Sequence, residues 1–487
     1  MAHSLAPGTL NPAILNVQYA VRGELAIKAE EYREKLKTHP NDHGLPFTTV
    51  TTANIGNPQQ AGLDQKPLTF GRQVASLLEY TPLMESGKDL FPPDVVARAK
   101  ELYAEIGSIG AYSHSQGVPY IRKNVAKFIE ERDGYPSNPN HIFLTAGASA
   151  GVGLVLNMLI ANHSSGVLIP IPQYPLYTAT LAQYNGVPIP YYLDESKGWS
   201  TDPTDVERAV VEAKKNGTDP KALVIINPGN PTGAILDLET QRELVEICAK
   251  YDLVLMADEV YQTNLHDPKN YPFTSFKKVV MDMKSNIPLI SFHSISKGVT
   301  GECGRRGGYF ECTNVPDSVI ALMYKMVSIT LCPALGGQIG VDCLVRPPKE
   351  GEPSYDLWKS ETDAIHAALA KRTHLMADRF NKLPGVSCAL APGALYLFPR
   401  LYLPQAAIEA AKKANKAPDA FYCLELLDET GICAVPGSGF GQKDGEAHFR
   451  LTILCEAVEE YMDQFESFQL KFWKKYGGEE QKAKQAA

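Results

Sequence analysis

The sequence predicts an α/β protein with a large domain built on a mostly parallel sheet, followed by a smaller α/β domain. Between residues 142 and 292, short apolar strand candidates alternate with segments of helical periodicity, a pattern typical of a parallel sheet with helices on both faces. A polar, proline-rich break over 345–353 separates this region from further helices and strands. At 487 residues the chain also exceeds the size of one ordinary core.

The first seventy residues are predicted to form an N-terminal arm and part of the small domain. Charged residues fill most positions of a helix predicted over 24–37, which a turn cluster over 40–44 closes. β-Branched residues over 50–55 predict a short strand that runs into Gly56.

Residues 71–345 are predicted to form the large domain, in which strands and helices alternate after two initial helices. The predicted helices cover 95–106, 121–131, 152–160, 176–184, 206–215 and 239–251. The predicted strands cover 142–145, 166–170, 187–192, 223–227, 253–256 and 287–292. Thr204 and Glu207 have the spacing of a capping box at the start of the fifth helix.

Residues 346–475 are predicted to form the small domain. A helix over 355–383 would be roughly 40 Å long, enough to bridge two domains. Strands over 394–398 and 448–453 and helices over 419–427 and 456–475 complete this domain, and the tail 476–487 is expected to be disordered.

Composition narrows the classes of function. A formal net charge of -8 without a long basic run argues against nucleic acid, and the longest apolar run, 151–161, is too short to span a membrane. Nine cysteines without a C-x-x-C pair indicate a reducing compartment and no metal site. Residues 1–20 lack the features of a signal peptide or an Arg-rich presequence, which favours a cytoplasmic over a mitochondrial location.

The candidate site is organised around Lys297, which follows the strand predicted over 287–292. Small residues such as Ser294 leave room beside its amine, and Arg305 and Arg306 offer planar donors suited to a phosphate. An amine that can bond to an aldehyde, placed beside a phosphate seat, is what pyridoxal phosphate requires.

Other candidate cofactor ligands follow neighbouring strands, whose carboxyl ends meet at one edge of a parallel sheet. Asp258 would keep the ring nitrogen of the cofactor protonated. Tyr261, three positions later, and Asn230 could hold the ring oxygen, and Tyr174 could stack on the ring. Taken alone, Asp258 is more often a helix N-cap than a cofactor ligand. Tyr261 taken alone is usually a packing residue.

The phosphate seat is predicted from the helix that follows the first strand of the large domain. The backbone amides of Ala148 and Ser149 would meet an anion at the start of this helix. Ser294 and one arginine would close the seat. Arg306 is favoured over Arg305, although spacing alone does not choose between them.

The chain resembles the class I aminotransferases of the aspartate aminotransferase superfamily in the segments Asn-Pro-Gly-Asn-Pro-Thr-Gly (227–233), Ala-Asp-Glu-Val-Tyr-Gln (257–262), Ser-Ile-Ser-Lys (294–297) and Gly-Glu-Cys-Gly-Arg-Arg-Gly-Gly-Tyr (301–309). It is most similar to the alanine aminotransferase branch in the segments 53–59, 110–117, 132–135, 301–304 and 448–454. The resemblance extends from about residue 16 to residue 454.

The resemblance implies fold type I with a seven-stranded sheet in the large domain, pyridoxal 5'-phosphate as cofactor, and a homodimer. Tyr112 would reach the phosphate of the neighbouring subunit's cofactor. Arg450 would bind the α-carboxylate of the substrate, with Gly56 and Asn230 lining the substrate side. The resemblance also favours Arg306, because the stretch after the lysine is one residue longer than in aspartate aminotransferases. A structural ion pair is the plainer explanation of Arg450 alone.

The implied reaction converts L-alanine and 2-oxoglutarate into pyruvate and L-glutamate by a ping-pong mechanism, with Lys297 as general acid and base. Glutamate:glyoxylate transamination and a cofactor-binding paralogue with a regulatory role are the alternatives. No residue is assigned to the distal carboxylate of glutamate. Cys303 is expected to be a small buried residue.

Overall fold

A mixed eight-stranded sheet lies at the centre of the computed structural model, which describes residues 10–15, 17, 19 and 23–478. The strands are β1 (Thr51–Thr52), β2 (Ile142–Thr145), β3 (Ser165–Ile171), β4 (Val187–Asp194), β5 (Ser200–Thr201), β6 (Asp219–Ile226), β7 (Val254–Asp258), β8 (Leu289–Ser294), β9 (Gly308–Thr313), β10 (Val386–Ser387), β11 (Tyr396–Leu397), β12 (Arg400–Leu401), β13 (Ile432–Cys433), β14 (Val435–Pro436) and β15 (Phe449–Thr452).

The helices cover both faces of this sheet and build the remainder of the fold. They are α1 (Pro12–Leu15), α2 (Glu24–Thr38), α3 (Thr69–Glu79), α4 (Leu83–Ser86), α5 (Pro93–Ile106), α6 (Pro119–Asp133), α7 (Ala148–Leu159), α8 (Leu176–Gln183), α9 (Pro203–Lys215), α10 (Leu238–Tyr251), α11 (Phe276–Asp282), α12 (Asp317–Ile329), α13 (Leu335–Val345), α14 (Tyr355–Phe380), α15 (Gln405–Lys413), α16 (Pro418–Thr430) and α17 (Val458–Lys475).

The order of strands in the large sheet is β2-β9-β8-β7-β6-β3-β4-β5. Strands β3, β4, β6, β7 and β8 pair in parallel, whereas β9 runs antiparallel to both of its neighbours and β5 antiparallel to β4. The α/β fold with a mostly parallel sheet is therefore confirmed. The sheet has eight strands instead of seven, because it includes the two-residue β5, which is too short to show any periodicity.

Helix α9 begins earlier than its sequence pattern predicts. Asp202 is the N-cap, since its side chain accepts a hydrogen bond from the Thr204 amide at 2.9 Å, and Pro203 occupies the first helical position. The predicted capping box between Thr204 and Glu207 is therefore wrong.

The smaller part of the fold has its own core, formed by α14, α16, α17 and the antiparallel sheet β11-β15-β14. The N-terminal segment joins this part, because β1 pairs in parallel with β13 and the buried Leu25 and Ala29 of α2 pack against the same core. The domain boundaries at residues 70 and 345 stay a prediction.

Tyr476, near the end of the described residues, packs against α16 and α17. The ring of Tyr476 lies 4.7 Å from that of Phe472 and 6.1 Å from that of Phe421, so the tail expected to be disordered begins with a packed residue. Residues 479–487 lie outside the described part of the chain. Within the described part, no helix combines the length and the apolar character needed to cross a bilayer.

Candidate active site

A cavity of about 1020 Å³ lies where β6, β7 and β8 end, and it is covered on one side by α2 and by the segment after β1. All of the predicted site residues except Tyr112 line it: Gly56, Ala148, Ser149, Tyr174, Asn230, Asp258, Tyr261, Ser294, Lys297, Arg306 and Arg450. The fold thus brings together residues that are up to 394 positions apart, the separation of residues 56 and 450.

Lys297 reaches the cavity from the loop that follows β8. Its Nζ donates a hydrogen bond to the carbonyl oxygen of Gly56 at 2.6 Å and lies 6.0 Å from the ring centre of Tyr261. Gly56 has no room for a side chain, because a Cβ there would lie 2.1 Å from the hydroxyl oxygen of Tyr396. The backbone of Gly56 can therefore approach the amine closely.

Asp258 is the last residue of β7 and is 4 % exposed. Its Oδ2 accepts a hydrogen bond from the Tyr177 hydroxyl at 2.8 Å. Burial raises the pKa of Asp258 to about 6, against the opposing effects of the Tyr177 hydrogen bond, the Val260 amide and the charge of Lys297. A carboxylate in this position lacks a close cationic partner and is suited to pair with a protonated ring nitrogen.

Replacing Asp258 with asparagine should stabilise the cofactor-free protein above pH 6. Below the ordinary pKa of 3.8 the carboxyl group is protonated in both folded and unfolded chains, so it has no effect. Between 3.8 and about 6 only the unfolded chain ionises, and folding loses stability that levels off at about 3 kcal/mol. Thermal unfolding of the two apoproteins at about pH 5 and about pH 7.5, within and above this interval, measures the difference. An asparagine variant whose Tm advantage over the wild type is no larger at the upper pH than at the lower pH would contradict it.

Tyr261 and Asn230 form a hydrogen-bonded group beside Asp258. The amide of Asn230 donates to the Tyr261 hydroxyl, which donates in turn to the Tyr396 hydroxyl, both at 3.4 Å. Burial raises the pKa of Tyr261 well above its ordinary value, so this phenol remains a donor. Burial acts in the same direction on Tyr396, but the charges of Lys297 and Arg450 outweigh it and lower the pKa of Tyr396.

Arg450 lies on β15 and is 1 % exposed. Its Nη1 donates to Asn230 Oδ1 at 3.0 Å and its Nη2 donates to the carbonyl oxygen of Asn54. The guanidinium carbon lies 4.1 Å from the ring centre of Tyr396 and 4.7 Å from that of Phe440. Its Nε is buried without a hydrogen-bond partner, and no described carboxylate pairs with it. This arrangement favours an anionic ligand over a structural ion pair.

The N-terminus of α7 and Arg306 form the candidate phosphate seat. Gly147 precedes the helix with φ +81, and a Cβ there would lie 2.4 Å from Arg306 Nη2. Arg306 donates to the carbonyl oxygens of Ala146 at 2.9 Å and Cys303 at 3.0 Å. The helix amides and the guanidinium therefore converge on one corner of the cavity.

Arg305 and Arg306 occupy different environments. Arg305 Nε lies 3.2 Å from Glu302 Oε2 and forms an ion pair. Arg306 lines the cavity and has no acidic partner in the described part of the chain. Its charge is thus free to meet a phosphate.

Ser294 and Ser296 both lie beside this corner. The Ser294 hydroxyl donates to the carbonyl oxygen of Gly307 at 3.1 Å, while the Ser296 hydroxyl accepts a hydrogen bond from Arg306 Nη1 at 3.4 Å. Ser296 also lines the cavity. It is therefore a phosphate ligand candidate that the predicted set did not include.

Tyr174 and Tyr112 lie in different places. The hydroxyl of Tyr174 is 2.5 Å from that of Tyr19, and its ring stands on the cavity wall. Tyr112 is 81 % exposed and lies in a separate depression with Cys332 and Leu335. Within the described chain, Tyr112 does not contribute to the cavity.

The donor set fits pyridoxal phosphate. An amine, a buried carboxylate, an amide and phenols line the same cavity, and an arginine and a helix N-terminus form an anion seat. The close approach of Gly147 to Arg306 leaves space for an anion where a larger residue would fill the seat.

Several cavity residues were missed by sequence reasoning. Tyr396 lay in a predicted strand, where an aromatic residue is usually part of the core, and Asn54 acts through its backbone. Cys303, expected to be buried, is half-buried and lines the cavity. Arg33 of α2 also lines it and donates to Thr52 Oγ1 at 2.6 Å. Only the close packing of segments distant in sequence reveals these contacts.

Comparison with known proteins gives a consistent result. The sequence profile of the family described as aminotransferase class I and II matches residues 72–465. The chain is 50% identical over 473 residues to the probable mitochondrial alanine aminotransferase of Dictyostelium discoideum, covering 95% of this chain and 88% of the relative. It is 47% identical over 490 residues to the mitochondrial alanine aminotransferase of Saccharomyces cerevisiae, covering 98% and 82%.

A third relative and a solved structure extend the comparison. Glutamate–glyoxylate aminotransferase 2 of Arabidopsis thaliana is 47% identical over 477 residues, covering 96% of each chain. The structure of an alanine aminotransferase from Pyrococcus furiosus superposes with a TM-score of 0.72 at 25% identity, covering 95% of this chain and 100% of that one.

The predicted cytoplasmic location does not agree with these relatives. The proteins from Dictyostelium discoideum and Saccharomyces cerevisiae are both named as mitochondrial, and so are two alanine aminotransferases of Arabidopsis thaliana. The prediction from the composition of residues 1–20 is therefore wrong.

Proposed function

The chain belongs to the class I and class II aminotransferases, and from this premise we propose that it is an alanine aminotransferase. It exchanges an amino group between L-alanine and 2-oxoglutarate and yields pyruvate and L-glutamate, with pyridoxal 5'-phosphate as cofactor. The observation that carries the proposal is the cavity in which Lys297, Asp258 and Arg450 converge. Near full-length identity of 45–50% to proteins named alanine aminotransferase supports the substrate pair.

The cofactor, when bound, supplies an aldehyde and a ring that withdraws electrons from the substrate's Cα. The protein's part is to hold and orient it. Asp258 would pair with the ring nitrogen, Tyr261 and Asn230 would donate to the ring oxygen, and Tyr174 would stack on the ring. Ala148, Ser149, Ser294, Ser296 and Arg306 would hold the phosphate.

Lys297 and Arg450 act on the substrate. The guanidinium of Arg450 binds the α-carboxylate and is oriented by its contacts with the rings of Tyr396 and Phe440. Lys297 lies in the loop after β8. Its amine accepts the proton from Cα as general base and returns it as general acid. Gly56, whose carbonyl oxygen contacts that amine, lines the substrate side.

The two arginines of the loop provide a matched test of the phosphate seat. Arg306→Ala should weaken cofactor binding by about 100-fold, because it removes charge-assisted hydrogen bonds to the phosphate. Arg305→Ala should leave the affinity within about twofold, because that side chain is paired with Glu302. Titration of each apoprotein with cofactor, followed by absorbance, measures both constants. Equal losses in the two variants would contradict the assignment of Arg306.

We further propose a homodimer in which Tyr112 binds the phosphate of the cofactor in the second copy. Its 81 % exposure leaves the hydroxyl available to another chain. Sedimentation of the holoenzyme separates one 53.3 kDa chain from two.

Glutamate:glyoxylate transamination is the second candidate, because relatives with that name are as similar as several alanine aminotransferases. The deciding experiment supplies the holoenzyme with glutamate and compares pyruvate with glyoxylate as acceptor. A higher kcat/KM with glyoxylate would replace the proposed substrate pair. Absence of turnover with either acceptor would favour the regulatory paralogue.

A further inference from the structure

A second cluster of charged side chains lies next to the cavity, made of Glu195, Arg400, Glu446 and His448. Ligand atoms of the two glutamates and the histidine are within 4.8 Å of one another, as in a metal site. Nη1 of Arg400, however, is 2.7 Å from Glu195 Oε2 and 3.3 Å from Glu446 Oε1. The guanidinium already supplies the cation, so this cluster is an ion-pair network.

His448 makes two hydrogen bonds, one to Glu195 of the network and one to Gln442 outside it. Its Nε2 lies 3.2 Å from Glu195 Oε2 and its Nδ1 lies 3.1 Å from Gln442 Oε1. Both of these oxygens are acceptors, and the amide nitrogen of Gln442 is engaged with Asp419 Oδ2 at 3.1 Å. Both ring nitrogens of His448 therefore face acceptor oxygens, and one of these oxygens belongs to the carboxylate of Glu195.

Glu195 and His448 come from different sheets. Glu195 opens the short turn after β4 of the eight-stranded sheet, whereas His448 immediately precedes β15 of the three-stranded sheet. Burial alone would raise the pKa of Glu195, but the hydrogen bonds and charges of His448 and Arg400 outweigh this and lower it. The carboxylate is thus charged at neutral pH and ties the two sheets together.

His448 is also connected to the environment of Arg450. Its carbonyl oxygen accepts a hydrogen bond from the Gly437 amide at 2.7 Å, which fixes the turn that carries Phe440. A Cβ on Gly437 would lie 2.7 Å from the Cβ of His448, so the turn and the histidine are in close contact. Phe440 in turn covers the guanidinium of Arg450, which lies two residues after His448.

The aromatic packing around His448 reinforces this connection. Its ring stacks on Phe398 with centres 4.9 Å apart and meets the edge of Trp199 at 5.4 Å. Trp199 belongs to the same loop as Glu195, and it is 5 % exposed. The histidine thus contacts this loop through both its Nε2 atom and the faces of its ring.

We propose that Glu195 and His448 are positioning residues for Arg450. Their hydrogen-bonded contact fixes the strand and the turn that orient the guanidinium, so they set the affinity for the α-carboxylate shared by the substrates. They do not contact the lysine amine and leave proton transfer unchanged. The inference rests on the proposed role of Arg450 as the carboxylate ligand.

The test uses Glu195→Gln, which keeps the shape of the side chain and removes its charge. The ligand is 2-aminoisobutyrate, which carries an α-carboxylate but no Cα hydrogen, so its dissociation constant reports binding without proton transfer. Titration of the holoenzyme, followed by cofactor absorbance, should show a rise of about tenfold in this constant. Isopropylamine, the same skeleton without the carboxylate, should react at an unchanged rate.

Glu207→Gln is the matched control, because Glu207 also forms an ion pair, with Lys250, but lies on α9. Glu207→Gln should leave the dissociation constant of 2-aminoisobutyrate and the rate with isopropylamine unchanged. Glu195→Asp, which restores the charge, should recover part of the affinity for 2-aminoisobutyrate. An unchanged dissociation constant of 2-aminoisobutyrate in Glu195→Gln would overturn the proposal. So would a loss with isopropylamine as large as the loss with 2-aminoisobutyrate, accompanied by a lower Tm. Failure of the wild-type protein to use alanine would defeat the substrate assignment instead, since this titration requires only bound cofactor.

Discussion

Lys297→Ala is expected to lower kcat by at least about 10⁴-fold, because the substitution removes both the attachment point of the cofactor and the general acid–base group. The visible absorbance band of the lysine-bound cofactor should disappear as well. The remaining cavity residues are unchanged, and the phosphate seat formed by α7 and Arg306 should still retain the cofactor noncovalently. Single-turnover kinetics and an absorbance spectrum measure the two effects.

Added small primary amines should restore part of the lost rate in Lys297→Ala, because they fit the space vacated beside Gly56. Lys371→Ala, on the exposed face of α14, is the matched control and should behave as the wild type. Retention of the absorbance band in Lys297→Ala would place the covalent attachment on another amine.

Arg450→Lys should lower kcat/KM for alanine by about 100-fold, or ~3 kcal/mol. Lysine keeps the charge but loses the planar pair of donors. It also loses the contacts of the guanidinium with the rings of Tyr396 and Phe440. The hydrogen bond to Asn230 Oδ1 is lost at the same time. Steady-state kinetics with alanine and with glutamate measure the effect, which should be similar for both since each carries an α-carboxylate.

L-Alaninamide separates carboxylate binding from general damage to the site. It lacks the anionic group, so the wild type and Arg450→Lys should react with it at comparable rates. Arg379→Lys is the matched control, because Arg379 pairs with Glu466 and Asp463 away from the cavity. A loss with the amide as large as that with alanine would show that Arg450 supports the fold and does not bind the substrate.

The residues predicted from sequence share one property. Lys297 and Asp258 follow apolar strands in neighbouring α/β units, and the ends of parallel strands meet at one edge, so their proximity follows from local patterns. The mostly parallel sheet and most helices follow from the same patterns. Strand β9 was not predicted, because its residues directly continue the glycine-rich loop after Lys297.

The remaining features depend on packing between distant segments. Tyr396, Phe440 and Glu195 reach the neighbourhood of Arg450 from three separate loops or strands, and no periodicity relates them. The choice between Arg305 and Arg306 as the phosphate ligand depends on the direction of two adjacent side chains. The ion pair between Arg305 and Glu302 distinguishes the two.

Gly56 and Arg450 are carried by the same small group of strands, since the carbonyl oxygen of Asn54 accepts a hydrogen bond from Arg450 and β1 pairs with β13. The amine of Lys297 is carried by the large sheet and contacts Gly56 across the cleft. The separation between the reacting nitrogen and the carboxylate anchor is consequently set by how the two bodies meet. We expect such a fixed span to suit acids whose amino group is on the carbon next to the carboxylate and to discriminate against β-alanine, in which one more methylene lengthens the molecule.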